Sequence, residues 1–454
     1  MDFSDTPDEA GFRNEVRAFL ERHAEPRRGT FETWQSRYPD REGLERAKDF
    51  QRKRAEAGLA GLHWPKAYGG REAPAIFQVI LAQEETRYLI PRGYFEIGLG
   101  MCMPTLFSYA TEEQRRRYAP AALRGDEVWC QLFSEPGAGS DLAGLRTRAV
   151  RDGSDWVVNG QKIWTSGAHW ADHAILVTRS DPKAAKHKGL TFFFLSMKSP
   201  GIETRRIKQI SGQSHFNEVY LTDVRIPDTQ RLGTVGQGWG VAITTLMNER
   251  LTSGELRGPD FEELFALARS VELEEGPAIA NAAVRERLAD YYVRTQGVRW
   301  SRYRTMTALS RGDTPGPENS IGKLVNAPKA QDMASFALDL MDMGGMVTDK
   351  DFAPMRAAFQ ESLLSSPGSR IAAGTDEILK NIIAERVLGL PQDIRVDREA
   401  PVRPAADQQA LRDGGQAGSV RGDGRLTDRR AASLRPHHPV LDLTRLAGIE
   451  APRG

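Results

Sequence analysis

The sequence predicts a multi-domain α and β protein in which a β unit lies between two helical ones. Apolar residues recur at helical spacing from Asp8 to about Arg124, alternating β-branched and aromatic runs take over between Val128 and Gly233, and helical spacing returns from about Trp239. A chain of 454 residues is too long for one small core and suits about two to four folding units.

In residues 1–125 the periodic positions include Phe12, Val16, Phe19 and Leu20, and Gly61, Pro65, Pro91 and Pro104 punctuate the run, so an all-helical domain is expected. In residues 126–235 the runs Trp156-Val157-Val158, Ala174 to Thr178 and Leu190 to Leu195 predict strands of a compact β domain. Gly153-Ser154 and Asn159-Gly160 bracket one of these strands, and the Asn-Gly pair predicts a tight hairpin turn. In residues 236–392 long polar-apolar repeats predict helices over Ala283 to Ser310, Ser320 to Met341 and Glu377 to Leu388. From about residue 393 the chain is rich in Arg, Asp, Gly, Ala and Pro and nearly free of aromatics, which predicts a disordered tail over 393–454. A short partner-binding helix around Val440 to Leu446 is the alternative.

Charge excludes some classes of partner. With Lys+Arg 62 against Asp+Glu 61, the formal net charge of +1 supplies no global field for nucleic acid or an anionic membrane, so any anionic ligand must be held by local groups. The two cysteines, Cys102 and Cys130, give neither a disulfide framework nor metal-ligand spacing, so no metal site is expected and a reducing compartment fits. The first residues lack the basic patch and apolar run of a signal peptide, and no segment approaches the about 18 apolar residues of a membrane span. A soluble, cytoplasmic protein is expected.

Chemistry concentrates in two neighbouring segments. In Cys130 to Asp141 (CQLFSEPGAGSD), Gly137, Ala138 and Gly139 let backbone approach a flat or anionic ligand, and Ser134 and Ser140 supply hydroxyls. By composition alone the segment could equally be an ordinary turn. About two dozen residues on, Asn159 to Ser166 (NGQKIWTS) sets an aromatic plate, Trp164, beside the hydroxyls of Thr165 and Ser166 at a strand end. Together the two segments suit a planar heteroaromatic ring. Trp164 as a plain core aromatic and Ser166 as a strand-end cap are the alternatives.

EPGAGSD, then NGxKxW, then TDVRIP (Thr222 to Pro227) resemble, in this order, the signature of the acyl-CoA dehydrogenase family, over roughly residues 8–392. The resemblance implies an N-terminal all-α domain, a central β domain of sandwich or barrel type, and a C-terminal four-helix bundle binding FAD. It implies that Gln131, Leu132, Phe133 and Ser134 line the flavin, that Trp164 and Thr165 pack beside it, and that Ser166 offers its hydroxyl near N5. Ser140 corresponds to a residue on the pantetheine arm of the thioester, at the border of cofactor and substrate. Thr375 and Glu377 would face the FAD diphosphate and adenosine, and Gly344-Gly345 resembles a glycine turn that meets FAD from a neighbouring subunit.

Many family members carry the catalytic glutamate immediately before the late Gly-Thr pair, where this chain has Ala373, followed by Gly374 and Thr375. Alanine cannot take a proton. Glu249, in Leu246 to Leu251 (LMNERL), occupies the place where the isovaleryl-type and long-chain-type branches put their base, with Arg250 also matching. By composition a Glu-Arg pair on a helix could equally be a solvated face. In the family the thioester oxygen is held by a flavin hydroxyl and by the backbone N–H at the position of Ala373, which alanine retains. Met247, Asn248, Arg250, Ala373 and Gly374 are therefore candidate substrate contacts, and small residues at Ala372 and Ala373 predict a branched or bulky acyl chain, a steroid-derived one included.

The expected activity is FAD-dependent α,β-dehydrogenation of an acyl-CoA, with an electron-transfer flavoprotein as acceptor and a homodimer or homotetramer as the assembly. Two rivals remain: a flavin monooxygenase or oxidase on the same fold, and a flavin-binding subunit of a heteromeric dehydrogenase.

Overall fold

A computed structural model describes residues 5–27, 41–252, 258–310, 316–392 and 400–401. The expected tail, with its Val440 to Leu446 segment, lies outside them apart from residues 400–401.

The first domain is built on α1 (Pro7–His23), α2 (Arg41–Glu56), α3 (Ala75–Glu85), α4 (Met103–Tyr109) and α5 (Glu112–Leu123), with the two-residue strands β1 (Glu25–Pro26) and β2 (Tyr88–Leu89) paired between them. The Thr6 and Thr111 hydroxyls accept the N–H of Glu9 and Gln114, whose side chains return to the cap N–H, so α1 and α5 start with capping boxes. Phe12, Val16, Phe19 and Leu20 form the buried stripe of α1, packed with Phe50, Ile80 and Leu81.

The middle of the chain folds into one sheet: β3 (Trp129–Leu132), β4 (Arg148–Asp152), β5 (Asp155–Ser166), β6 (His173–Arg179), β7 (Leu190–Ser196), β8 (Ile202–Ile207), β9 (Phe216–Pro227) and β10 (Arg231–Leu232). Its order is β10-β7-β6-β4-β5-β9-β8, with β3 added in parallel beside β6. Successive residues of the apolar runs enter two different cores. Ile175, Val177, Phe192 and Phe194 face one, while Ala174, Leu176, Phe193 and Leu195 face the other. A strand buried on both faces reads as a continuous apolar run, which is the pattern of Leu190–Leu195.

The Gly153-Ser154 pair makes the hairpin between β4 and β5, with Asp152 opposite Asp155. The expected turn at Asn159-Gly160 is absent. Both residues lie inside β5, where the register against β9 shifts between Val158 and Gly160. Packing explains the glycine: a Cβ there would stand 2.7 Å from the Thr147 Cα. The Asn159 amide spans the irregularity, donating to the Asp223 carboxylate and accepting from the Asp223 N–H, both at 2.9 Å.

The last domain comprises α6 (Gly238–Thr252), α7 (Phe261–Ser270), the paired β11 (Glu272–Leu273) and β12 (Gly276–Pro277), α8 (Ala282–Ser310), α9 (Ser320–Met341), α10 (Ala358–Ile371) and α11 (Asp376–Arg386). Leu264, Leu267, Tyr291, Met333, Ala337 and Phe359 form its core. α6 starts hard against β7, since a Cβ on Gly238 would meet the Thr191 backbone at 2.8 Å. Val241 and Ala242 of α6 then join Met103 and Leu106 of α4 in the core beneath the sheet. A buried hydroxyl pair, Thr105 with Thr245 at 2.8 Å, ties α4 to α6. No helix among the described residues is long and apolar enough to cross a membrane.

Candidate active site

β3 runs into a loop that closes at once, Glu135 and Ala138 exchanging both backbone hydrogen bonds at 3.0 Å. The Glu135 carboxylate turns inward and accepts from the N–H of Arg146 (2.6 Å), the N–H of Thr147 (2.8 Å) and the Lys162 ammonium (2.9 Å). Lys162, fully buried, also donates to the Phe133 carbonyl at 2.9 Å. Burial alone would raise the Glu135 carboxyl; the Lys162 charge and these hydrogen bonds outweigh it and hold it below the ordinary glutamate value. The loop is thus bolted to β5, and the Ile163 N–H adds a bond to the Ser134 carbonyl at 2.9 Å.

One residue on, β5 is irregular. Lys162 pairs with Val219 and Thr165 with Asn217, so β5 holds one residue more than β9 between those pairs. Trp164 sits in that bulge with φ 61°. Its indole is 54% exposed and meets Phe216 edge-on at 5.9 Å. A left-handed, solvent-facing tryptophan costs about 1–2 kcal/mol, and such strain concentrates at functional sites. Thr165 is the buried member of the expected trio, its carbonyl accepting from the Asn217 amide at 2.8 Å, while Ser166 is half-buried.

The surface beside Trp164 fits a planar heteroaromatic group. Gly137 and Gly139 have open space where a Cβ would stand, so the loop backbone is bare on that side. The buried Gln131 Oε1 and Thr165 Oγ1 have no hydrogen-bond partner among the described residues. Leu132 and Phe133 are buried beneath, Ser134 is half-buried, and Ser140 is exposed.

A second set of expected residues lies on α6 and on the turn between α10 and α11, both within reach of Lys323 of α9. Glu249 is half-buried, Met247 is 45% exposed, and the Asn248 amide donates to the Thr244 carbonyl of its own helix at 2.9 Å. The Arg250 side chain falls outside the described set. Ala373 and Gly374 turn the chain with φ 51° and 92°. The Lys323 ammonium, from α9, donates to the carbonyls of Ala372 and Gly374 on either side of that turn. Burial lowers the Lys323 pKa against the opposing charges of Asp376 and Glu249, so Lys323 stands within electrostatic reach of both. The Thr375 hydroxyl caps α11 by accepting the Ile378 N–H at 3.2 Å, Asp376 is buried against Arg370 at 2.7 Å, and Glu377 is exposed.

The structure therefore joins Gln131 to Ser134 with Trp164 to Ser166, while Lys323 bonds the Ala372 and Gly374 carbonyls and lies within electrostatic reach of Glu249. It does not bring Gly344-Gly345 to either group within one chain. That turn follows α9, while Lys323 lies near the helix start, about 30 Å away along the axis. Gly345 is required locally, since a Cβ would meet the Leu338 carbonyl at 2.6 Å. Sequence reasoning missed the Glu135–Lys162 pair and Lys323. The signal for the first was the lysine of the NGQKIW segment on a strand; for Lys323 there was none.

Three family models match in order: the acyl-CoA dehydrogenase N-terminal domain over residues 6–126, the middle domain over 130–224 and the C-terminal domain over 236–388. Acyl-CoA dehydrogenase FadE34 of Mycobacterium tuberculosis is 40% identical over 340 residues, 74% of this chain but 45% of that protein, so the chain spans less than half the length of this relative. Acyl-CoA dehydrogenase IpdE1 of the same organism is 35% identical over 78% of this chain and 91% of its own length. The solved structure titled Tcur3481-Tcur3483 steroid ACAD superimposes with a TM-score of 0.71 at 28% identity, covering 87% of this chain and all of that one. With all three domains matched in sequence order, and the same succession of helical, β and helical units in the structure, the chain belongs to the acyl-CoA dehydrogenase family.

Proposed function

We propose that the chain oxidises a bulky acyl-CoA thioester to its trans-2-enoyl form, with FAD as the cofactor and Glu249 as the base. The observation that supports this reading is that Lys323 bonds the turn at Ala373 and stands within electrostatic reach of Glu249, the two parts that α-proton removal needs from the protein. One is a half-buried carboxylate on α6, and the other is a tight turn offering a backbone N–H at Ala373. Glu249 takes the α-proton, and the Ala373 N–H donates to the thioester oxygen as negative charge develops there. FAD, when bound, supplies the hydride acceptor. Trp164 and the loop of Gln131 to Ser134 orient it, and Ser140 contacts the pantetheine arm. Thr375, Glu377 and, from a second subunit, Gly344-Gly345 hold its far end. Exposed Met343, Met346 and Phe352 beside that glycine turn support a subunit contact.

The small side chains of Ala372 and Ala373 leave room for a branched or polycyclic acyl group, a reading supported by the structural neighbour described as a steroid ACAD. Electrons leave to an electron-transfer flavoprotein, and the assembly is a homodimer or homotetramer, which native mass distinguishes from a heteromer.

The test is anaerobic bleaching of the purified yellow protein by a panel of acyl-CoAs, repeated with Glu249→Gln. General-base catalysis contributes about 10² to 10⁴-fold, so the variant should reduce its flavin slower by that range while retaining FAD and thioester binding. Near-normal flavin reduction in the variant would remove Glu249 from its role.

A further inference from the structure

Between α10 and α11 the chain reverses through two left-handed residues, of which Ala373 is the one carrying a side chain. Nothing in the alanine itself favours that conformation. The carbonyls before and after Ala373 both point at one cation, Lys323 of α9.

The planar, trans peptide unit makes this arrangement consequential. The Ala372 carbonyl and the Ala373 N–H belong to the same plane and point in opposite directions. A cation that pulls the carbonyl toward α9 therefore aims the N–H away from α9. The Gly374 carbonyl fixes the Thr375 N–H in the same way, at the start of α11. Lys323 also faces Asp376, whose charge is shared with Arg370, and lies within electrostatic reach of Glu249 on α6.

We propose that Lys323 is a positioning residue of this site: by donating to the carbonyls of Ala372 and Gly374 it holds the Ala373 N–H aimed at the thioester oxygen and fixes the turn against α9. This rests on the dehydrogenase reading for its chemistry, but not for the holding of the turn.

Two measurements on the full-length, flavin-loaded protein test it. In Lys323→Met, amide hydrogen exchange at Ala372, Ile378 and Leu379, whose N–H groups are bonded on either side of the turn, should quicken about tenfold or more, because the turn loses both of its bonds to α9. Flavin reduction at saturating acyl-CoA should slow about tenfold, short of the 10²- to 10³-fold typical of deleting an oxyanion donor outright. The KM and flavin content should stay within about threefold, since misaimed hydrogen bonding weakens the transition state more than the bound substrate. Lys323→Arg, which keeps a charged multiple donor, should restore most of both. If Lys323→Met does not fold, Lys323→Gln, with a neutral donor, should show a smaller change in the same two readouts.

Native exchange rates at Ala372, Ile378 and Leu379 in a folded variant lacking the ammonium would overturn the proposal. So would loosened exchange with undiminished flavin reduction, or an arginine variant as impaired as the methionine one. Should no acyl-CoA bleach the unaltered protein, the dehydrogenase reading falls, and the exchange measurement still decides whether Lys323 holds the turn.

Discussion

Replacing Lys162 by methionine keeps most of the buried volume and removes the cation bonded to Glu135. Lys162 is fully buried and the Glu135 side chain is 8% exposed, so little water is at hand to replace the lost partner. Two backbone N–H groups still reach the carboxylate, but a buried charge that loses its counter-ion typically costs about 3–5 kcal/mol. A body the size of residues 6–388 has an unfolding entropy of about 0.8 kcal/mol/K, so the melting temperature should fall by about 4–6 °C at pH 7. The sign with pH follows from the lowered Glu135 pKa. In the unaltered protein the contribution is complete above the ordinary value of 4.5 and is lost as pH falls through the lower folded value. In the variant, burial without the counter-ion favours protonation, so the gap between the two proteins should narrow as pH falls toward 4.5 and go on narrowing below it. Lys162→Met with Glu135→Gln, which removes the charge and keeps an acceptor for one of the two N–H groups, should recover part of the loss. Calorimetry from pH 4 to 8 is the assay. A melting temperature within 1 °C of the unaltered protein at pH 7, or a gap that ignores pH, would refute this account of the loop.

Gly160→Ala should destabilise by about 1–3 kcal/mol in urea titrations, because its Cβ would stand 2.7 Å from the Thr147 Cα; a neutral effect would mean that β5 yields there. Trp164→Gly relieves a left-handed backbone and should melt no lower than the flavin-free parent, yet bind flavin at least tenfold more weakly; unchanged flavin affinity would remove the indole from the cofactor site. Asp228 is held down to about 2 by its hydrogen bonds with Arg231 and then with the Trp156 indole. Asp228→Asn should therefore lose about 1–2 kcal/mol at pH 7, a difference that shrinks as pH falls below 3.8; a difference that grows there would contradict it.

What could be read in the sequence was whatever short-range chemistry decides. The helix expected over Ala283 to Ser310 runs Ala282–Ser310, and that expected over Ser320 to Met341 has those bounds. The run Leu190 to Leu195 is a strand because β-branched and aromatic residues suit a two-sided sheet interior. Asn159-Gly160 misled for a tertiary reason: β5 must run on to meet β9, and the glycine answers the approach of Thr147, not a turn. The Glu135–Lys162 pair joins residues 27 apart, and Lys323 reaches a turn about fifty residues on. Pairings at such separations leave no periodic trace in a single chain. The candidate base was legible only through the family resemblance, since Glu-Arg on a helix otherwise reads as solvated surface.

The close seating of Gly238 on Thr191 turns α6 into a lever. Its fulcrum is the buried Thr245–Thr105 hydroxyl pair, seven residues along. Glu249 lies four residues beyond the fulcrum, so the arms are about 10 Å and 6 Å. A methyl group at position 238 that lifts the helix start by about 0.8 Å would swing the carboxylate about half an ångström the other way, a sizeable part of the 1 Å error that can cost 10²-fold in rate. The aim of the proposed base is thus set at the sheet, three helical turns from where any substrate would lie.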